Sequence, residues 1–186
     1  MSVSTAGNTV SSVFAYCAAS FEWTVKRASG VAPKMSPPLT MDSFTPSLME
    51  GYEFLYFKLH GMPGQPFWYG DDGVTAISAH QIAEANLVGA VVFVANCHLP
   101  ESPMLKALLG AGASAVIGGP GENYAGVQTI MGADLLGMYV RYLWQLGADA
   151  QRALRWAKLR LRLKWPSKAT KDTLSFQLYT KGARHA

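Results

Sequence analysis

The feature that most constrains the fold is an uninterrupted apolar run, AVVFVA, at residues 90–95. Six apolar residues have the length of a strand, and a strand without polar alternation is covered on both faces. Strands of this kind occur in parallel sheets that have helices on both sides. The run therefore predicts an α/β fold.

The rest of the chain alternates predicted strands with predicted helices. Further strands are expected at residues 52–59, 114–118 and 174–179. Helices are expected at residues 78–87, 103–109, 128–146 and 149–165. Ser78, Ser102 and Asp149 mark three helix starts, because short polar side chains cap free backbone N–H groups. The alternation predicts a mostly parallel sheet with helices on both faces.

The N-terminal part is predicted to be a helix followed by a linker. Asn8 can cap a helix that Gly30 ends. Its apolar residues recur at helical spacing, and they are Val10, Val13, Phe14, Cys17, Phe21 and Val25. Four prolines among small polar residues make residues 30–46 typical of a linker. We therefore expect residues 1–46 to form an N-terminal helix and Pro-rich linker, and residues 47–186 to form the main domain.

The composition indicates a folded, cytoplasmic protein. Of the 186 residues, 49% are hydrophobic and 15% are charged, which excludes a largely disordered chain. No apolar run is long enough to span a bilayer, and the first residues lack the pattern of a signal peptide. Cys17 and Cys97 can form at most one disulfide, so reduced thiols in a reducing compartment are expected.

Two reactive side chains follow predicted strands directly. His60 follows the strand at residues 52–59, and Cys97 comes one residue after the strand at residues 90–95. In open parallel sheets the site lies beyond the carboxyl ends of the strands, so the imidazole and the thiol are expected at one edge. An imidazole that takes the proton of a thiol makes it a nucleophile. The pair predicts acyl transfer, with the N–H groups of Gly61 and Cys97 as oxyanion donors.

These residues resemble the caspase-hemoglobinase group of cysteine peptidases, and most of all its bacterial CHAT-type and gingipain-like domains. The resemblance rests on YFKLHG, VVFVANC and SPMLKALLGAGASAVIGG, and continues in QLGADAQRALRWAKLRLR and FQLYTKG. It implies a three-layer caspase-like fold, with a mostly parallel central sheet flanked by helices. It also implies a catalytic dyad of His60 and Cys97 and a protein or peptide substrate. Neither a metal nor an organic cofactor is implied.

Specificity is expected to depend on two loops at the same edge, residues 62–73 and 119–126. Their acidic residues are Asp71, Asp72 and Glu122. A carboxylate in a partly dry pocket favours a Lys or Arg side chain, because pairing offsets the cost of desolvation. We therefore expect a cysteine endopeptidase that acts through a thioester and prefers a basic residue before the cleaved bond. The alternative is that these three acidic side chains only keep their loops solvated and do not bind substrate.

A basic segment leaves two other functions open. Half of the 16 Lys and Arg residues lie between Arg152 and Lys171. Although residues 157–165 alternate apolar and basic side chains, helix is favoured because one helical face carries Ala150, Ala153, Leu154, Ala157 and Leu161. The basic face is either solvated or a patch for a partner protein, a nucleic acid or an anionic surface. The alternatives are an inactive caspase-like scaffolding or binding module with a regulatory partner, and, less favoured, a nucleic-acid-associated protein.

A zinc site is the last alternative. It would use His60, His80, Cys97 and His98. These residues lack the short paired spacing that zinc ligands usually show, so no metal is expected.

Overall fold

The computed structural model describes residues 12–123 and 126–182. The strands are β1 (Val13–Ala18), β2 (Lys34–Ser36), β3 (Phe54–Lys58), β4 (His60–Gly61), β5 (Phe67–Tyr69), β6 (Thr75–Ser78), β7 (Val91–Val94), β8 (Ala115–Gly118) and β9 (Gln177–Tyr179). The helices are α1 (Glu22–Ser29), α2 (Ala79–Glu84), α3 (Pro103–Gly110), α4 (Ala133–Gln145), α5 (Ala150–Lys164) and α6 (Lys171–Leu174).

Six strands form the central sheet, in the order β2-β1-β3-β7-β8-β9. Neighbouring strands are parallel except for β8 and β9. Every residue of β7 is buried, as the missing alternation in its sequence predicts. The predicted α/β class with a mostly parallel sheet is confirmed.

Helices cover both faces of this sheet and make three layers. Strand β3 shows why, because its residues point alternately to two separate cores. Leu55 and Phe57 pack in the core beneath α2 and α3. Phe54 and Tyr56 pack in the core beneath α1, α4 and α5. None of the described helices is both long and apolar enough to cross a membrane.

The predicted N-terminal helix is wrong over residues 13–18, which form β1. Even-numbered residues of β1 pack in one core and odd-numbered residues in the other. A strand buried on both faces is apolar throughout, so its residues also satisfy helical spacing. The helix begins only at Glu22, and Gly30, with a φ of 77°, ends it as predicted. Asn8 lies outside the described residues.

The segment before residue 46 belongs to the central sheet. Strand β1 lies between β2 and β3, and it is parallel to both. Strand β2 interrupts the predicted linker and forms one edge of the sheet. Helix α1 then packs against α4 on the sheet's face.

A small antiparallel sheet follows β3. It has the order β4-β5-β6, and His60 lies opposite Tyr69 in it. The predicted loop at residues 62–73 is therefore wrong where β5 forms, and the aromatic run FWY is the strand signal within it. The small sheet holds His60 just beyond the end of β3.

The predicted helix starts agree closely with the structure. Ser78, Ser102 and Asp149 each cap a helix through their side chains. The basic segment is the helix α5, despite its alternating pattern. The helix predicted at residues 128–146 begins later, with α4. The strand predicted at residues 174–179 is shortened to β9, because α6 takes its first residue.

Candidate active site

The candidate site lies where β3 and β7 end side by side. These strands are parallel neighbours, so both carboxyl ends reach one edge of the sheet. Asn96, two residues after β7, joins the two ends, because its Oδ1 accepts the N–H of Leu59 at 2.7 Å. The segments that carry His60 and Cys97 therefore leave the sheet next to each other.

Gly61 allows these two segments to approach closely. A Cβ atom at Gly61 would lie 2.3 Å from the carbonyl oxygen of Cys97. A side chain at this position would collide with the backbone, so the contact requires glycine. The glycine after His60 thus has a packing role beside the predicted catalytic one.

The His60 imidazole has one open side and two neighbours. Its side chain is 52% exposed, and its Nε2 lies 3.9 Å from Oδ1 of Asp71. Its ring centroid lies 5.4 Å from that of Phe21. The Asp71 carboxylate accepts the backbone N–H and the hydroxyl of Ser20 at 2.6 and 2.8 Å. A carboxylate fixed in this way can orient an imidazole.

The Cys97 thiol is half-buried against the loop that follows β8. Its Sγ accepts the N–H of Asn123 at 3.2 Å. Burial raises the pKa of the thiol, while the Asn123 N–H lowers it and the Glu122 carboxylate raises it. With a raised pKa the thiol is mostly protonated at neutral pH, so it needs a base to become a nucleophile.

Two pockets border the predicted pair. One, of about 660 Å³, is lined by His60, Met62, Tyr69, Gly70, Asp71, Asp72 and Gly73. The other, of about 380 Å³, is lined by Gly61, Met62, Pro63, Cys97, His98, Glu122 and Asn123. Met62 lines both, so the pockets adjoin. The three acidic residues predicted for specificity are divided between them, with Asp71 and Asp72 beside His60 and Glu122 beside Cys97.

Sequence reasoning missed the residues that fix the loops around Cys97. Asn123 donates from Nδ2 to the Asn96 carbonyl at 2.6 Å. Glu101 accepts the N–H of Gly121 at 3.2 Å and lies 2.8 Å from Nδ1 of His98. These hydrogen bonds hold the pKa of Glu101 below its usual value, and the one from His98 has the largest effect. A polar residue directly after an apolar run, such as Asn96 after residues 90–95, is the one signal the sequence offers.

A buried ion pair lies beneath the site. The side chains of Lys58 and Asp134 are 1% and 0% exposed, and they meet at 2.5 Å. Burial lowers the pKa of Lys58 and raises that of Asp134. Nζ of Lys58 also donates to Thr24 and to the Gly126 carbonyl, and it lies 4.2 Å from the centroid of the Phe21 ring. The pair therefore joins β3 to α1, α4 and the loop ahead of α4.

The histidines of the zinc alternative have other neighbours. Nδ1 of His80 lies 3.6 Å from Glu84, and Nδ1 of His98 lies beside Glu101. Over residues 12–123 and 126–182, no group of three or more His, Cys, Asp or Glu side chains is suited to hold a metal ion.

The fold places the protein in the class of α/β proteins with a caspase-like fold, as predicted. No protein-family model matches the sequence, and no curated protein shows significant similarity to it. Several solved structures resemble it in fold, and two of them are described below.

One neighbour is the complex of the Porphyromonas gingivalis RgpB pro- and mature domains. The TM-score is 0.56 and the identity is 9%, over 90% of this chain and 47% of that chain. The other is the Arg-specific cysteine proteinase gingipain R (RgpB). The TM-score is 0.55 and the identity is 9%, over 89% of this chain and 45% of that chain. The protein spans less than half the length of these neighbours, and the likeness establishes the fold.

Proposed function

We propose that the protein is a cysteine endopeptidase with His60 and Cys97 as its catalytic dyad. The observation that carries the proposal is the contact between Gly61 and the Cys97 backbone, where a Cβ would lie 2.3 Å from the carbonyl oxygen. This contact brings the residue after the imidazole against the residue that bears the thiol. The two adjoining pockets, which share Met62, would receive the peptide on either side of this contact.

In the proposed reaction, Sγ of Cys97 attacks the carbonyl carbon of the scissile bond. His60 removes the thiol proton and then gives it to the leaving amine, which departs as the C–N bond breaks. Water, deprotonated by His60, then attacks the thioester, releases the carboxylic acid and restores the thiol. The N–H groups of Gly61 and Cys97 would hold the oxyanion in both steps.

The electrostatics define what these roles require. Burial raises the pKa of Cys97, so the thiol depends on a neighbouring base at neutral pH. The contacts of Asp71 with His60 and Ser20 favour an orienting role for this carboxylate. Asp72 and Glu122 are then the carboxylates proposed to bind a basic side chain before the cleaved bond. One structural neighbour is an Arg-specific cysteine proteinase, which supports the same preference.

Two further parts of the proposal concern setting and control. Cys17 and Cys97 are both free thiols, which supports a reducing, cytoplasmic environment. One neighbour is a complex between a pro-domain and a mature domain. That arrangement supports control of the proposed peptidase by a regulatory partner protein.

The test measures hydrolysis of a fluorogenic peptide library whose members differ in the residue before the cleaved bond. Cys97→Ala should lower turnover by roughly 10⁴-fold or more, because the nucleophile is lost. Cys17→Ala is the matched control and should keep wild-type turnover. Equal turnover by Cys97→Ala and wild type contradicts the dyad, and preference for Asp or apolar residues contradicts the basic pocket. A wild type that cleaves no peptide favours the inactive scaffold.

A further inference from the structure

Helix α5 carries an apolar stripe that faces solvent. Its inner face is buried and consists of Ala153, Leu154, Ala157 and Leu161. On the opposite side Trp156, Leu159 and Leu163 are 54%, 42% and 75% exposed. Their spacing of three and four residues puts them on one side of the helix. Large apolar side chains grouped on a surface mark an interaction site.

Basic side chains flank this stripe, and acidic ones are missing from the helix. The sequence of α5, AQRALRWAKLRLRLK, has no Asp or Glu. Its basic residues are Arg152, Arg155, Lys158, Arg160, Arg162 and Lys164. In the described part of the chain, no carboxylate lies within salt-bridge distance of Arg155 or Arg162. The face therefore presents positive charge that the protein does not neutralise.

A cleft beside the stripe combines both properties. It measures about 330 Å³ and is lined by Arg155, Trp156, Lys158, Leu159, Arg162 and Leu174. The Lys158 ammonium donates to the Phe176 carbonyl at 2.6 Å, which fixes it at the cleft. Three cations around a concave surface suit a phosphate group, and the adjoining apolar side chains suit a hydrocarbon attached to it.

We propose that the exposed face of α5 docks on an anionic phospholipid bilayer. This face combines the apolar stripe with the basic side chains beside it, and it consists of Arg155, Trp156, Lys158, Leu159, Arg162 and Leu163. Lipid phosphates would bind in the cleft, and the three apolar side chains would enter the interface between headgroups and acyl chains. Charge complementarity selects an anionic surface. The aliphatic Leu163 selects lipid over nucleic acid, because nucleic acids bind to cations and aromatic rings. The proposal is independent of the peptidase function.

The first test uses the full chain and flotation with vesicles. The protein should float with vesicles of phosphatidylcholine and phosphatidylglycerol in equal parts, and not with phosphatidylcholine alone. Arg155→Gln/Arg162→Gln should weaken the partition about 30-fold, since each basic residue contributes about 1 kcal/mol at an anionic surface. Lys34→Gln/Lys106→Gln removes the same charge elsewhere and should weaken it by less than about fivefold.

The second test separates insertion from adsorption by charge. Leu163→Gln should weaken the partition roughly tenfold, because the side chain no longer leaves water on docking. Val88→Gln is the matched control, since Val88 is 80% exposed in the segment between α2 and β7. Brominated acyl chains should quench tryptophan fluorescence in wild type and much less in Trp156→Phe. Circular dichroism verifies that each variant is folded.

Several results overturn the proposal. These are equal binding to neutral vesicles, wild-type binding by Arg155→Gln/Arg162→Gln, and wild-type binding by Leu163→Gln. Binding to a labelled single-stranded RNA without binding to vesicles also overturns it. None of these results depends on peptide hydrolysis, so the peptidase proposal stands or fails separately.

Discussion

At the scale of single residues, burial separates the two thiols of the chain. Cys17 is fully buried on β1, and burial raises its pKa to about 12. Cys97 borders a pocket and receives an N–H at its sulfur. Because alkylating reagents attack the thiolate, the two thiols differ both in access and in charge state.

Alkylation by iodoacetamide across a pH series tests the role of His60. Since burial raises the pKa of Cys97, the alkylation rate of a His60→Ala variant should be low at pH 7 and should rise steadily into the alkaline range. Wild type should react faster than this variant at pH 7, because the imidazole takes the thiol proton. At strongly alkaline pH both should react alike, since the thiol ionises without help. Mass spectrometry of peptides measures each rate.

Cys17 serves as the internal control in this experiment. It should stay unmodified in the folded protein over the whole pH range and react once guanidinium unfolds the chain. Equal rates for wild type and His60→Ala at pH 7 would show that His60 does not activate Cys97.

The sequence predicts His60 and Cys97 because each follows a strand end, a property of the local sequence. The partners of these residues depend on contacts between distant parts of the chain. Asn123 meets Cys97 only because the loop after β8 lies against the segment that follows β7. Lys58 within an apolar strand indicates a buried partner, yet nothing in the sequence distinguishes Asp134 from the other carboxylates.

At the scale of elements, β1 shows where periodicity fails. A strand buried on one face alternates, and a surface helix has an apolar stripe, so either can be recognised. Five of the six residues of β1 are buried, so no polar residue marks its period. The same pattern predicts β7 correctly, because that run has turn residues on both sides. In β1 the apolar residues continue into α1, so the two segments together show the spacing of one long helix.

The junction between β4 and the turn after β7 is sensitive to the addition of one methyl group. Gly61→Ala should lower the free energy of unfolding by about 1–3 kcal/mol, because the new methyl group forces the two backbones apart. Gly110→Ala is the control, since no atom outside the adjoining backbone lies within 4 Å of its Cβ position at the end of α3. It should be neutral or stabilising by up to about 1 kcal/mol.

Urea denaturation of the two variants and the wild type measures both effects. Equal stability of Gly61→Ala and wild type would contradict the tight contact between Gly61 and Cys97.

At the scale of the whole molecule, the central sheet combines strands that are far apart in the sequence. Strand β1, from the start, pairs with β3, and β9, from the end, pairs with β8. The proline content of residues 30–46 is typical of a linker, but strand β2 within them is an edge strand, where proline-rich flanks are tolerated. After residue 47 the sequence predicts the four strands that join the central sheet and four of the five helices, but it does not predict the small sheet β4-β5-β6 or α6. The order of strands in the central sheet depends on pairing between distant parts of the chain.

A fragment of residues 47–186 tests this dependence. Without β1, strand β3 has no partner on the side opposite β7, and both cores lose the buried side chains that β1 contributes. The fragment should therefore not unfold cooperatively. Thermal unfolding followed by circular dichroism, beside the full chain, gives the measurement. A cooperative transition near that of the full chain would support residue 46 as a true domain boundary.

The buried pair of Lys58 and Asp134 has a consequence for engineering this protein. Exchanging such a pair for apolar residues of similar volume often raises stability, since neither charge then has to leave water. Here the ammonium also holds the Gly126 carbonyl, in the loop that leads on from Asn123. An exchange would keep the core filled while that loop lost its anchor. Thermal tolerance and a well-defined thiol environment are therefore competing design goals in this molecule, and a screen for melting temperature alone would select against the second.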